Sequence, residues 1–188
     1  MTSKATVAEE FGNLIVPRER NTRPIASGVD IGHVHLKAGD LKKMRSFYVD
    51  ILGFDVVFDM PQALFLAAGG YHHHLGFNTW ESAGGTPPPP GTTGLYHIAI
   101  RYPTRADLGD ALRRLGEAGW PLDGVNDHGT HEALYLRDPE ENGLELAWDR
   151  DPAQWPRDAN GHMTMHGGRL DIESLLGEGL PAERQEPS

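Results

Sequence analysis

The feature that most constrains this chain is an internal repeat. Ile31-Gly32-His33-Val34-His35-Leu36 and Leu95-Tyr96-His97-Ile98-Ala99-Ile100 place a histidine in two short β-like runs 64 positions apart, each followed by an amphipathic helical pattern. In the first unit a strand is expected from Gly28 to Ala38. Asp40 then caps a helix whose apolar stripe is Leu41, Met44, Phe47, Tyr48, Ile51 and Leu52, closed by Gly53. Strands follow at Phe54–Asp59, Ala63–Ala67 and His72–Thr79. The second unit repeats the plan. Tyr96–Arg101 reads as a strand, and Thr104 caps a helix with Leu108, Ala111, Leu112, Leu115 and Ala118 as its stripe and Gly119 at its end. Its later strands are expected at Pro121–Val125, Glu132–Arg137 and Gly143–Trp148. Between the units, Glu81 to Gly94 carries Gly84-Gly85 and four consecutive prolines, which suits a connector outside any sheet. The fold class is therefore α+β: two paired βαβββ modules, at about 28–80 and 95–149, sharing one core in a curved mixed sheet around a cleft.

This repeat fills residues 27–150. Residues 1–26 read as a polar N-terminal extension, and 151–188 as a C-terminal extension with a short helix pattern at Asp171–Leu176 and a frayed end from about Gly177. At 188 residues there is room for one domain of ordinary core size. The formal charge of −10 argues against nucleic acid or an anionic membrane surface as partner. No apolar run reaches the roughly 18–20 residues of a membrane span, and the N-terminus lacks a signal-peptide core. Without cysteine there is no disulfide framework and no zinc–thiolate site, so the cytoplasm is the expected compartment. A homo-oligomer is compatible with all of this. Histidine is over-used, with ten in all and Tyr71-His72-His73-His74 in sequence.

Strand alternation puts His33, His97 and Glu145 opposite the bulky pairs Val34/Leu36, Ile98/Ile100 and Leu144/Leu146. Two curved modules side by side would aim all three into one cleft. A lone strand histidine is as readily a hydrogen-bonded core residue, but three groups at matching places in a repeat are poorly explained that way. Two imidazoles and a carboxylate form a facial triad, and ligands without thiolate suit Fe(II), Mn(II), Co(II), Ni(II) or Zn(II).

The stretch Asn126-Asp127-His128, a five-residue spacer, Leu134-Tyr135, Asp138-Pro139 and Glu145 then carries a resemblance. The chain resembles the vicinal-oxygen-chelate superfamily, and within it the type I extradiol ring-cleavage dioxygenases (catechol 2,3-dioxygenase-like). The likeness covers about residues 28 to 150 and departs at Glu141, where the extradiol signature has Gly or Pro. The departure bears on turn geometry before the last strand. The resemblance implies an Fe(II)-dependent enzyme, with Mn(II) as the other candidate metal, acting on a catecholic small molecule and O2. His33, His97 and Glu145 would be the metal ligands. His73 would transfer protons, although alternation alone points to His72 or His74. His128 and Tyr135 would contact the substrate hydroxyls.

His35 reads as a cleft-wall residue, and His131, His162 and His166 as solvated surface residues. Two other readings stand beside the dioxygenase. One is a glyoxalase- or isomerase-like enzyme using Zn(II) or Ni(II), with a fourth ligand from His72, His73 or His74. The other is a metal-free small-molecule-binding (resistance) protein.

Overall fold

Both long helices begin where the sequence supplies an acceptor for their free amides. In the computed structural model, which describes residues 24–178, the Asp40 carboxylate accepts from Lys42 N and Lys43 N at 2.9 and 3.4 Å and starts α1 (Leu41–Arg45). Thr104 and Asp107 form a reciprocal capping box at the head of α2 (Arg105–Glu117). Helix α1 then widens into a π-helical stretch, Ser46–Ile51, in which Leu52 N reaches back to Phe47 O at 3.0 Å. The adjacent Phe47 and Tyr48 are both buried there. Gly53 and Gly119 close the two helices at φ 84° and 64°, a conformation with no penalty for glycine.

The strands realise the repeat. β1 (Val34–Lys37) precedes α1, and β2 (Asp55–Met60), β3 (Ala63–Ala67) and β4 (Leu75–Asn78) follow it. β5 (Ile98–Arg101) precedes α2, and β6 (Gly124–Asp127), β7 (His131–Arg137) and β8 (Gly143–Asp149) follow it. The sheet orders β1-β4-β3-β2 and β5-β8-β7-β6 are the same, with the first strand parallel to the last and the other pairs antiparallel. The α+β plan of two βαβββ units is thus borne out as two four-stranded mixed sheets. Several strands start later than the residue pattern suggests, β6 among them at Gly124 rather than Pro121. β1 begins at Val34 rather than Gly28, β4 at Leu75 rather than His72, and β5 at Ile98 rather than Tyr96. Pairing begins only where a partner exists: Val34 N meets His74 O at 2.9 Å, and the residues before it are exposed. His33 and His97 each sit one residue ahead of their strand.

One hydrophobic core joins the modules, and its polar fastening is the turn before β8. Phe47 packs on Trp120 with ring centroids 4.6 Å apart. Tyr48 Oη donates to the buried Asp138 Oδ2 at 3.0 Å, while Asp138 Oδ1 accepts from Glu140 N and Asn142 N, both at 2.9 Å. Burial pushes the Tyr48 phenol well above its ordinary value, and the Asp138 carboxylate adds to that. Glu140 Oε1 accepts from Gly39 N and Asp40 N at 3.0 and 2.9 Å, tying the turn to the start of α1. Gly143 opens β8 where a Cβ would lie 2.0 Å from Tyr96 O, so only glycine fits.

The C-terminal extension packs on the second module as far as it is described. Residues near Asp127 and Gly168 pair across an isolated bridge, Leu170 and Leu175 are buried, and α3 (Ile172–Leu176) lies on α2. Most of the N-terminal extension (1–23) and the expected frayed end (179–188) lie outside the described residues.

Glu141 is the single non-glycine with positive φ among the described residues, at 63°. It is also the position where the sequence departs from the extradiol signature. The left-handed region costs a residue with a Cβ about 1–2 kcal/mol. Glu141→Gly is therefore expected to raise the unfolding free energy by about 1 kcal/mol after the entropy of glycine in the unfolded chain is counted. Urea denaturation measures this, and an unchanged or lower midpoint would mean that the turn is unstrained.

Candidate metal centre

Glu145 anchors the site, because β8 turns it away from the core that holds Leu144 and Leu146. The ladder places Tyr135 of β7 on one side of it and Ala99 of β5 on the other. Its two oxygens have different neighbours. Oε2 lies 2.9 Å from His97 Nε2. Oε1 lies 3.0 Å from His131 Nε2 and accepts from Tyr135 Oη at 3.2 Å. Tyr135 Oη is in turn 2.8 Å from His128 Nε2, and the rings of His128 and His131 stack at 4.5 Å. Burial pushes the Glu145 carboxyl up. The hydrogen bond from His131, the electrostatic pull of the His131 and His97 rings and the Tyr135 phenol outweigh it and hold the group below the usual range. Glu145 is therefore a carboxylate at neutral pH. Burial and Glu145 push the Tyr135 phenol up, keeping it a donor, while burial and His131 press the His128 imidazole down.

A second imidazole cluster belongs to the first module. The His33 ring lies 4.3 Å from that of His73 and 6.2 Å from that of His72, and the Nδ1 atoms of His72 and His73 are 2.9 Å apart. His74 points elsewhere, its Nδ1 accepting from Ala68 N at 3.2 Å. Alternation favoured His72 or His74, but these residues precede β4 in a turn where Gly69 takes φ 66°, so the strand period does not apply to them. Burial, followed by the neighbouring His33, His72 and His35, lowers the His73 pKa. His35 packs along the sheet, with its ring against Gly76, Phe65 and Trp80 and Nε2 2.9 Å from Asn78 Nδ2.

Of the groups read from the sequence, side-chain contacts thus link His97, Glu145, Tyr135 and His128 to one another, and His33 to His73. Among the described residues, the trio whose ligand atoms lie within 4.8 Å of one another is His128, His131 and Glu145. His131, expected to be a solvated surface residue, is instead partly buried against Glu145. The signal that could have found it is its place at the head of β7, four residues before Tyr135, where strand period two returns it to the same face. The donors around Glu145 are imidazole nitrogens and one deprotonated carboxylate with no thiolate, a set that fits a divalent first-row metal. Oε1 is already taken by two protein donors, so Oε2, beside His97, is the oxygen free to bind one.

The hairpin carrying these groups rests on an ion-pair network. Glu132, buried beside His131 in sequence, accepts from Arg105 Nε and Arg150 Nη2, both at 2.8 Å. Arg150 also grips Asp127 at 2.7 and 3.0 Å, next to His128. The C-terminal segment adds His166 N to His128 O at 3.3 Å.

Residues 30–146 match the sequence profile of the Glyoxalase/Bleomycin resistance protein/Dioxygenase superfamily. The chain is 40% identical over 148 residues to a catechol-2,3-dioxygenase of Bacillus subtilis, covering 79% of this chain and 51% of that protein. It is 34% identical to a biphenyl-2,3-diol 1,2-dioxygenase of Rhodococcus globerulus, covering 63% of each. It thus spans from about half to under two thirds of the length of these two relatives. A glyoxalase/dioxygenase structure from Nostoc punctiforme superposes with a TM-score of 0.54 at 21% identity, covering 69% of this chain and 99% of that one, a likeness of fold. Among the described residues, no helix is long and apolar enough to cross a membrane.

Arg150→Met keeps the apolar stem but leaves the Asp127 carboxylate without its cation and buried Glu132 with Arg105 alone. Removing one partner of a buried ion pair costs about 3–5 kcal/mol, and the partial exposure of Arg150 places the expected loss at the lower end. Thermal unfolding checks this, and a loss below about 0.5 kcal/mol would put the network in the class of weak surface pairs.

Proposed function

We propose, from the premise that the chain belongs to the glyoxalase/bleomycin resistance protein/dioxygenase superfamily, that it opens a catecholic ring beside its two hydroxyls with O2. The proposed metal is Fe(II), with Mn(II) suited to the same ligands, held by His33, His97 and Glu145. The observation that carries this reading is the asymmetry of Glu145. One oxygen is bound by Tyr135 and His131, and the other faces the His97 ring nitrogen at 2.9 Å. The names of the relatives, a catechol and a biphenyl-diol dioxygenase, point to the same class of substrate.

The metal would supply the Lewis acidity and the electron path that let O2 meet an aromatic diol. The remaining work falls to the side chains. His73, with its pKa lowered among imidazoles, is the proton acceptor for a diol hydroxyl, and it returns the proton as the ring opens. Tyr135 and His128 form a donor relay, His128 Nε2 to Tyr135 Oη, that steadies oxygen at the reacting edge. Both oxygen atoms of O2 end in the ring-opened product, so no external reductant is needed.

A second reading draws on the position of His73 only 4.3 Å from His33, where it could serve as a fourth ligand of a glyoxalase-like Zn(II) or Ni(II) site. His73→Phe separates the two. In the dioxygenase it keeps one Fe(II) per chain and lowers kcat by about 10²–10⁴. Loss of the metal would favour the four-ligand reading instead. His97→Ala and Glu145→Ala should each lose both the bound metal and the yellow ring-opened product formed from catechol under air. Full iron loading and oxygen uptake in either variant would remove that residue from the ligand set.

A further inference from the structure

His131 lies outside the proposed ligand set, yet its Nε2 is 3.0 Å from Glu145 Oε1. An ionised carboxylate offers only acceptors, so the ring nitrogen facing it carries the hydrogen. The other nitrogen, Nδ1, lies 2.9 Å from Thr130 Oγ1, and in the neutral ring it accepts from that hydroxyl. One neutral tautomer satisfies both bonds, in the order Thr130 to His131 to Glu145. Both ring nitrogens are thereby engaged, which leaves His131 no lone pair for a metal even though its nitrogen sits in the tightest His/Glu trio of the site. Its orientation is fixed from two further directions. Thr130 is itself buried, and the imidazole is stacked on His128 at 4.5 Å.

We propose that His131 is a positioning residue for Glu145: it ties down Oε1 and so presents Oε2 toward His97. This rests on the reading of Glu145 as a metal ligand. Tyr135 reaches the same Oε1 at 3.2 Å, and two donors converging on one oxygen fix the carboxylate plane as one donor cannot. Without His131 the carboxylate can rotate about its last bond, and the metal has to select the productive rotamer at the expense of affinity. Outer partners that orient ligands in this way are worth about 10–100-fold in metal affinity.

The test uses Co(II) as the probe, titrated into the full apo chain, with its visible absorption as a readout independent of turnover. His131→Ala should bind Co(II) about 10–100-fold more weakly while still saturating at one ion per chain with an unchanged visible band. His131→Gln, whose amide can donate to Oε1, should recover affinity to within a few-fold of the parent. Thr130→Val, nearly isosteric, should lose a few-fold, and it keeps the test open should His131→Ala fail to fold. Full affinity in His131→Ala overturns the proposal. So does a shifted Co(II) band at saturation with no rescue by glutamine, since His131 would then be a ligand. Glu145→Ala separates the two layers. Wild-type Co(II) binding in that variant sinks the metal reading itself, whereas loss there beside unaltered His131 variants sinks only the positioning role.

Discussion

The site depends on keeping one carboxylate ionised while most of it is out of water. Glu145 is 7% exposed, and burial alone would push its proton back on. His131, His97 and Tyr135 reverse that outcome by surrounding it with donors and positive character. The same contacts constrain the rest of the cluster. Tyr135 can donate to Glu145 only if its own proton is retained, and its raised pKa ensures that. His128 then completes the chain by donating to the phenol oxygen. One charge, four protein groups and two strands are settled together.

That arrangement requires β8 to lie in one register. A slip of one residue would exchange Glu145 with Leu144 or Leu146 and turn the carboxylate into the core. The register is set at the strand's start, where Gly143 lies against Tyr96 O and Asp138 gathers Glu140 N, Asn142 N and Tyr48 Oη. Glu140 bonds the amides ahead of α1, so the turn that fixes β8 in the second module also holds the first module's helix. The left-handed Glu141 is the local cost of this fastening. Fold and site therefore meet in five residues, 138–142.

What was legible in the sequence follows from what periodicity encodes. Helix starts, the closing glycines and the order of eight strands could be read because caps and apolar stripes are local signals. Glu145, Tyr135 and His128 could be read because they sit at fixed spacing along one hairpin. The late strand starts could not, since pairing depends on where a partner strand begins, which no single segment records. His131 was missed for a related reason. Its environment is lateral, made by Glu145 on the neighbouring strand and Thr130 beneath it, and a polar residue at a loop-to-strand step looks solvated until the neighbour is known. The π-helical turn after Arg45 was hidden too, because the stripe of α1 reads the same at either helical period over six residues.

The two modules prepare their groups by opposite means. In the second, donors press a buried carboxyl below its usual range, which makes it an anion able to bind a cation. In the first, His73 is shifted down by burial and by the imidazoles of His33, His72 and His35, which favours the neutral ring able to take a proton. A carboxylate beside His73 would have done the reverse, stabilising an imidazolium that can neither bind a metal nor accept a proton. Crowding imidazoles around His73 is thus a way of keeping that ring neutral. The run His72-His73-His74, odd as a sequence, has a physical use at the two positions whose rings meet His33, while the third turns away to accept a backbone amide.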